Sequence, residues 1–155
     1  MHFNLITILA PLVGFASLST AQIGRRDCPD ALRGGSFTVS PATLTPGAPF
    51  TVVANLTCAN QLGFTPTYLD FYIQNNANNN GFELPILLSR GTYNQSADPP
   101  LYTFTTVLPR DPWIVGAVYE MVMDNSYARM LPPVGPGDTF ISVGQVVAPI
   151  NITGY

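Results

Sequence analysis

Residues 49–58 read Pro-Phe-Thr-Val-Val-Ala-Asn-Leu-Thr-Cys. Side chains alternate along this stretch. Phe50, Val52, Ala54, Leu56 and Cys58 fall on one side, and Thr51, Val53, Asn55 and Thr57 fall on the other. A period of two is that of an extended strand with one face buried. The first set carries the aromatic ring, the leucine and the cysteine, so it is the expected core face. The same parity recurs outward from this segment. In 36–40, Phe37 and Val39 share a side, and Pro41 and Thr45-Pro46-Gly47 make the turn. In 67–74, Leu69, Phe71 and Ile73 are expected inward, with Tyr68, Asp70, Tyr72 and Gln74 outward. An Asn-rich loop follows over 75–81. Segment 82–89 contains Pro85, which suits an edge strand or a bulge. Segments 101–108, 117–124 and 138–144 complete the set, the last extended by Val146-Val147-Ala148. Tyr119, Met121 and Met123 are expected inward, and Trp113 lies in the connection 109–116, either as a plug or on an exposed loop. Fifteen prolines and thirteen glycines leave no window long enough for an ordinary helix. The expected fold is all-β: one two-sheet sandwich of about seven strands over residues 27–155.

Residue types narrow the chemistry. The six basic residues are all arginine, and the single histidine is His2. Residues 5–18 form an apolar run, and Ser19 and Ala21 stand at the −3 and −1 positions of a cut after Ala21, so residues 1–21 are expected to be a secretory signal peptide. Pro11 and Gly14 interrupt the run, which is shorter than the ~20 residues of a membrane span. Residues 22–26 read as a propeptide ending at the dibasic pair Arg25-Arg26, or equally as two solvated arginines on a loose end. With the leader removed, the chain holds neither imidazole nor amine side chains. Ser-His-Asp and Cys-His catalysis, lysine Schiff bases and histidine metal sites are then excluded. After trimming, four arginines face nine carboxylates, a net charge of −5. That disfavours nucleic acid as a partner. No cofactor, no metal and no membrane span in the mature chain are expected, and the protein is expected to be secreted and extracellular.

An oxidising compartment pairs cysteines. Cys28 and Cys58 are the only two, so one intramolecular bond is available to them; an intermolecular pair and two free thiols are the other outcomes. Three sequons without proline mark Asn55, Asn94 and Asn151 as N-glycan acceptors. Strand parity independently sets Asn55 on the solvent side.

Leu108-Pro109, Gly116 and the run Tyr119-Glu120-Met121-Val122-Met123 resemble the E–F corner of immunoglobulin-like sandwiches. The resemblance implies a Greek-key arrangement, with Tyr119 as a structural tyrosine corner hydrogen-bonding back to nearby backbone. Thr45-Pro46-Gly47 is similar to the A–B passage of the same folds. The second inter-sheet cysteine of a true immunoglobulin domain would fall near Met121 and is absent. The layout as a whole (leader, dibasic pair, sequons, one β-domain) also resembles the small secreted Cys-poor proteins of filamentous fungi. That likeness implies a location rather than an activity.

Three functional readings follow. The first is a non-catalytic extracellular or cell-wall-associated binding module. Its ligand face would be Tyr68, Asp70 and Tyr72, with Gln74 beside them, offering ring faces and hydroxyl-binding polar groups to polysaccharide. The bland account of the same tyrosines is that they are good strand formers. The second reading is lipid or small-hydrophobe binding between the sheets, with Met121, Met123 and Met130 as adaptable lining. The third is a carboxylate-pair glycoside hydrolase drawing on Asp70, Glu83, Glu120 and Asp124. Glu120 and Asp124 share a strand face ~13 Å apart, longer than that chemistry uses. Catalysis is therefore not expected, and no catalytic residue is assigned.

Overall fold

The computed structural model describes residues 28–77, 83–110, 112–130 and 139–154. The expected leader, the Arg25-Arg26 pair, Asp111 and Asp138 lie outside these, as does the Met130 side chain. A 3-10 turn at Asp30–Leu32 precedes β1 (Ser36–Ser40), β2 (Thr43–Leu44) and β3 (Pro49–Asn55). A short helix, α1 (Thr57–Gln61), leads to β4 (Tyr68–Asn75), β5 (Ile86–Thr92) and β6 (Leu101–Val107). The long strands β7 (Tyr119–Met130) and β8 (Thr139–Ile152) close the chain.

The strands form two sheets. One has the order β1-β3-β6, and the other β2-β8-β7-β4-β5. All described pairings are antiparallel except β2 with β8, which meet in parallel at Thr43–Asn151 and Leu44–Ile152. The chain crosses between sheets after β1, after β2, after β3, after β5 and after β6. Consecutive segments are thus split between layers, and their inward faces meet in one core.

Parity reads through to burial. Phe50, Val52 and Ala54 of β3 face Leu69, Phe71 and Ile73 of β4 and Tyr119, Met121 and Met123 of β7, all buried. Phe71 is the centre of an aromatic group. Its ring meets Phe104 at 4.9 Å, Tyr102 stacked at 5.9 Å and Phe37 edge-on at 6.0 Å. Met121 and Met123 are packed within this core. Trp113 is buried too, with its indole N–H donating to the Pro109 carbonyl at 3.1 Å, so it plugs the sandwich rather than standing on a loop.

Three features depart from the sequence reading. Strand β3 ends at Asn55, so Leu56 and Cys58 are not strand residues. The Leu56 N–H turns to the Pro100 carbonyl at 2.9 Å, and the Asn55 side chain accepts the Thr57 N–H at 3.0 Å. These bonds take the backbone out of the ladder and start α1. The helix ends on Gly63 (φ 79°), where Phe64 N–H bonds Ala59 O at 2.8 Å and Gly63 N–H bonds Asn60 O at 3.2 Å. That is the Schellman arrangement, which needs the left-handed conformation glycine adopts freely. Secondly, the two-residue β2 makes eight strands among the described residues rather than seven. Thirdly, Val122 is fully buried on the outward face of β7, between its register partners Tyr72 and Val147. Strand β5 begins just after Pro85 on the sheet edge and carries a bulge where the pairing shifts between Phe71 and Tyr72, as an interrupted edge strand should.

Cys28 and Cys58 are joined as a disulfide, with Cα atoms 5.3 Å apart. The bond ties the segment before the 3-10 turn to α1.

Candidate functional site

The outward face of the five-stranded sheet is assembled from alternate residues of four strands. On β4, Tyr68, Asp70, Tyr72 and Gln74 share this side. Register places Asp70 directly opposite Asp124 of β7, Tyr72 opposite Val122, and Asp124 opposite Gln145 of β8. Arg90 of β5 stands opposite Asp70 on the other flank. The face therefore carries a row Arg90, Asp70, Asp124, Gln145 running across the strands.

Every member of that row is engaged. Arg90 holds Asp70 with two parallel bonds, Nε to Oδ1 at 2.8 Å and Nη2 to Oδ2 at 2.7 Å. Tyr72 donates its hydroxyl to Asp124 Oδ2 at 2.9 Å. Gln145 Nε2 donates to the Tyr72 oxygen at 2.9 Å and to Asp124 Oδ1 at 3.2 Å. Two like charges directly opposite on neighbouring strands repel. Here Arg90 neutralises one, and two neutral donors hold the other. The carboxylates are fixed in orientation while lying on an open sheet. Beside them Tyr68 is 49% exposed and makes no side-chain bond among the described residues. Leu87, Val143 and Val147 add exposed apolar surface to the same face.

The fixed pair leaves a titration signature. Burial pushes the Tyr72 phenol up from 10.0 to about 12, and the Asp124 carboxylate it bonds adds to the rise. An acid whose pKa is raised by folding keeps its proton longer in the folded state. Its contribution to stability is complete below pH 10 and is lost as pH rises from 10 through about 12. Urea denaturation at a series of pH values should thus show stability falling across that window. Tyr72→Phe, which removes the titrating group, should fall less steeply. Parallel curves for the two proteins would mean that Tyr72 titrates alike in both states.

The other candidate residues lie apart from this row. Glu120 bonds Asn76 at the far end of β7. Glu83 accepts from Asn75 Nδ2 at 3.1 Å and from the Tyr119 hydroxyl at 2.7 Å, at the end of the core. The carboxyl pair that register brings together is therefore Asp70 with Asp124, not Glu120 with Asp124. Tyr119 also accepts the Ile114 N–H at 2.9 Å, five residues back, and Trp113 packs edge-on against it at 5.1 Å. Asn55, Asn94 and Asn151 are all exposed. Sequence reasoning missed Asp124 as a member of the face, and with it Arg90 and Gln145. The parity of 117–124 already set Asp124 outward, but cross-strand register was needed to bring the three together.

No protein-family model matches the sequence, and no curated protein matches it. Solved structures that match include the superoxide reductase (neelaredoxin) from Ignicoccus hospitalis, at 11% identity over 76% of this chain and 80% of that one, with a TM-score of 0.44. A variant of the same reductase matches at 12% identity over 81% of this chain and 93% of that one, also with a TM-score of 0.44. A likeness this distant carries no weight for the fold or the chemistry of the chain.

Proposed function

We propose that the chain is an exported, non-catalytic, immunoglobulin-like sandwich module that binds polysaccharide through the open face of its five-stranded sheet. The observation that carries this reading is the half-exposed Tyr68 ring beside two carboxylates already locked in place, Asp70 by Arg90 and Asp124 by Tyr72 and Gln145. A sugar ring has an apolar face that stacks on a tyrosine and hydroxyls that donate to carboxylate oxygens. Groups held in advance lose little freedom on binding. A flat, open sheet suits an extended polymer better than a small molecule, which needs a concave site.

Further support comes from the architecture. Two mainly antiparallel sheets with repeated crossings between them are compatible with a Greek-key, immunoglobulin-like plan, and the Ile114 N–H bond to the Tyr119 hydroxyl is compatible with a tyrosine corner. The disulfide and three exposed sequon asparagines suit an extracellular protein of the fungal secreted kind. Met121 and Met123 are fully buried among aromatic and aliphatic neighbours, which fits gap-filling better than the lining of a lipid cavity.

Retention on insoluble chitin, β-glucan and cellulose tests the reading. The protein is expected to be held by at least one of these, and Tyr68→Ala to weaken retention by about tenfold, the order of one lost stacking contact. Tyr68 is exposed, so that variant should keep its thermal stability. Equal retention of both proteins, or passage of both through all three polymers, would dispose of this face as a binding surface.

A further inference from the structure

The β7–β8 ribbon outruns the sheet. Pairing with β4 stops at Ser126, while β7 pairs with β8 on to Met130. Asn125, at the last paired turn of β4 with β7, and Tyr127 and Arg129 of the extension share the inward side. Two other segments close over them: the turn around Asp30–Arg33, pinned by the disulfide, and Phe64 at the end of α1. Together they border a half-open cavity of about 640 Å3, lined by Asp30, Arg33, Phe64, Asn125, Tyr127 and Arg129 among others. It lies on the opposite side of the ribbon from Asp124 and reaches round the edge of β8 to Gln145.

Its polar groups are unusual for this chain. Of the four arginines among the described residues, Arg90 is ion-paired with Asp70. Arg33 and Arg129, both exposed, make no ion pair among the described residues and both face this cavity. Asn125 is fully buried. Its Nδ2 donates to the Gly34 carbonyl at 2.9 Å, while Oδ1 has no hydrogen-bond partner. Turning the amide over would set two oxygens against each other, so the orientation is fixed. The oxygen is packed over Gly144, where a Cβ would run into it, and is shielded from solvent. Phe64 and Tyr127 meet edge to face at 5.4 Å and supply an apolar wall.

We propose that this cavity binds an acidic sugar, a hexuronate residue. A carboxylate would sit between Arg33 and Arg129, whose planar guanidinium groups match it geometrically. An anion without an O–H group, such as sulfate, would face the Asp30 carboxylate with nothing to donate. Sugar hydroxyls donate to the Asp30 carboxylate, and the apolar ring face lies on Phe64 and Tyr127. The volume is within the range of small-ligand sites. This site meets the Tyr68 face at Val143 and Gln145 but uses none of Tyr68, Asp70 or Tyr72, and its test is read separately.

Titration of the isotope-labelled full chain with D-glucuronate and D-galacturonate, followed by NMR at the Asn125 side-chain amide, decides the matter. Either uronate is expected to shift that resonance saturably, with a Kd on the order of 1 mM or tighter. Arg33→Gln and Arg129→Gln should each weaken binding by about tenfold, and Tyr68→Ala should leave it unchanged. Both arginines are exposed, so the variants should stay folded, which the remaining resonances report. D-glucose and D-glucuronamide, which lack the charge, should bind at least about tenfold more weakly. The proposal is overturned if neither uronate shifts the resonance, if glucose binds as well as the uronates, or if the double arginine variant binds undiminished. Saturable binding of sulfate with none of the uronates would likewise overturn it, as an adventitious anion site only.

Discussion

Phe71→Ala is expected to lower stability by about 4 kcal/mol, and the melting temperature by ~15 °C. Phe71 is fully buried, so the truncation removes a whole phenyl ring from the core and leaves a cavity. Collapse around that cavity is limited. The ring is contacted from three directions, by Phe37 of β1 and by Tyr102 and Phe104 of β6, and all three belong to the opposite sheet. Those strands are held by their own ladders and cannot close the gap without bending. Aromatic pairs add ~0.5 to 1.5 kcal/mol each beyond area, which places the loss toward the upper part of the range for Phe→Ala. Phe71→Leu, which keeps much of the volume but loses the three ring contacts, should cost about 2 kcal/mol, less than the alanine variant. Urea denaturation of the three proteins measures both differences. A loss within about 1 kcal/mol for the alanine variant would mean that the two sheets are not packed through this ring.

Phe71 also shows why much of the fold was legible. Its inward placement follows from alternation alone, because one face of β4 is sealed and the other is open. The same holds for Phe50, Val52 and Ala54. Alternation fails as a guide at two kinds of place. Helix α1 is five residues long, too short for a 3.6-residue period to separate from a period of two. Gly63 was the local sign that the chain turns there, and it read only as another break. Beyond Ser126 the ribbon leaves its neighbouring strand, both faces are partly in solvent, and apolar patterning vanishes. The sequence Ser-Tyr-Ala-Arg over 126–129 therefore does not announce a strand.

The candidate face divides in the same way. Tyr68, Asp70 and Tyr72 share a side by parity, which any extended segment guarantees. Their partners Arg90, Asp124 and Gln145 lie 20 to 73 residues away in pairwise separation. Only register brings them together, and register is set by the whole sheet rather than by any short motif. The Asn125 cavity is less legible still, since its wall comes from three segments that no pattern links.

Removing the disulfide as Cys28→Ala/Cys58→Ala should cost ~3 to 4 kcal/mol and ~10 to 15 °C in melting temperature. The bond closes a loop with a sequence separation of 30, and the chain-entropy relation for that length gives the free-energy figure. That entropy resides in the unfolded chain, so the denaturant m-value should rise as the unfolded state expands. A second effect belongs to the folded state. Cys28 is buried, and the segment after it is otherwise held by few bonds: the turn hydrogen bonds at Leu32, Arg33 and Gly35, and Asn125 Nδ2 to Gly34 O. Without the covalent tie this segment should open locally at lower cost than global unfolding. Amide exchange at Leu32, Arg33 and Gly35 should then accelerate under native conditions, while Val52 and Phe71 change only as far as global stability does. Uniform acceleration at all these sites would confine the disulfide to the unfolded state. Selective acceleration near Gly35 would make it also the clamp on one wall of the Asn125 cavity, with uronate affinity falling in the same variant.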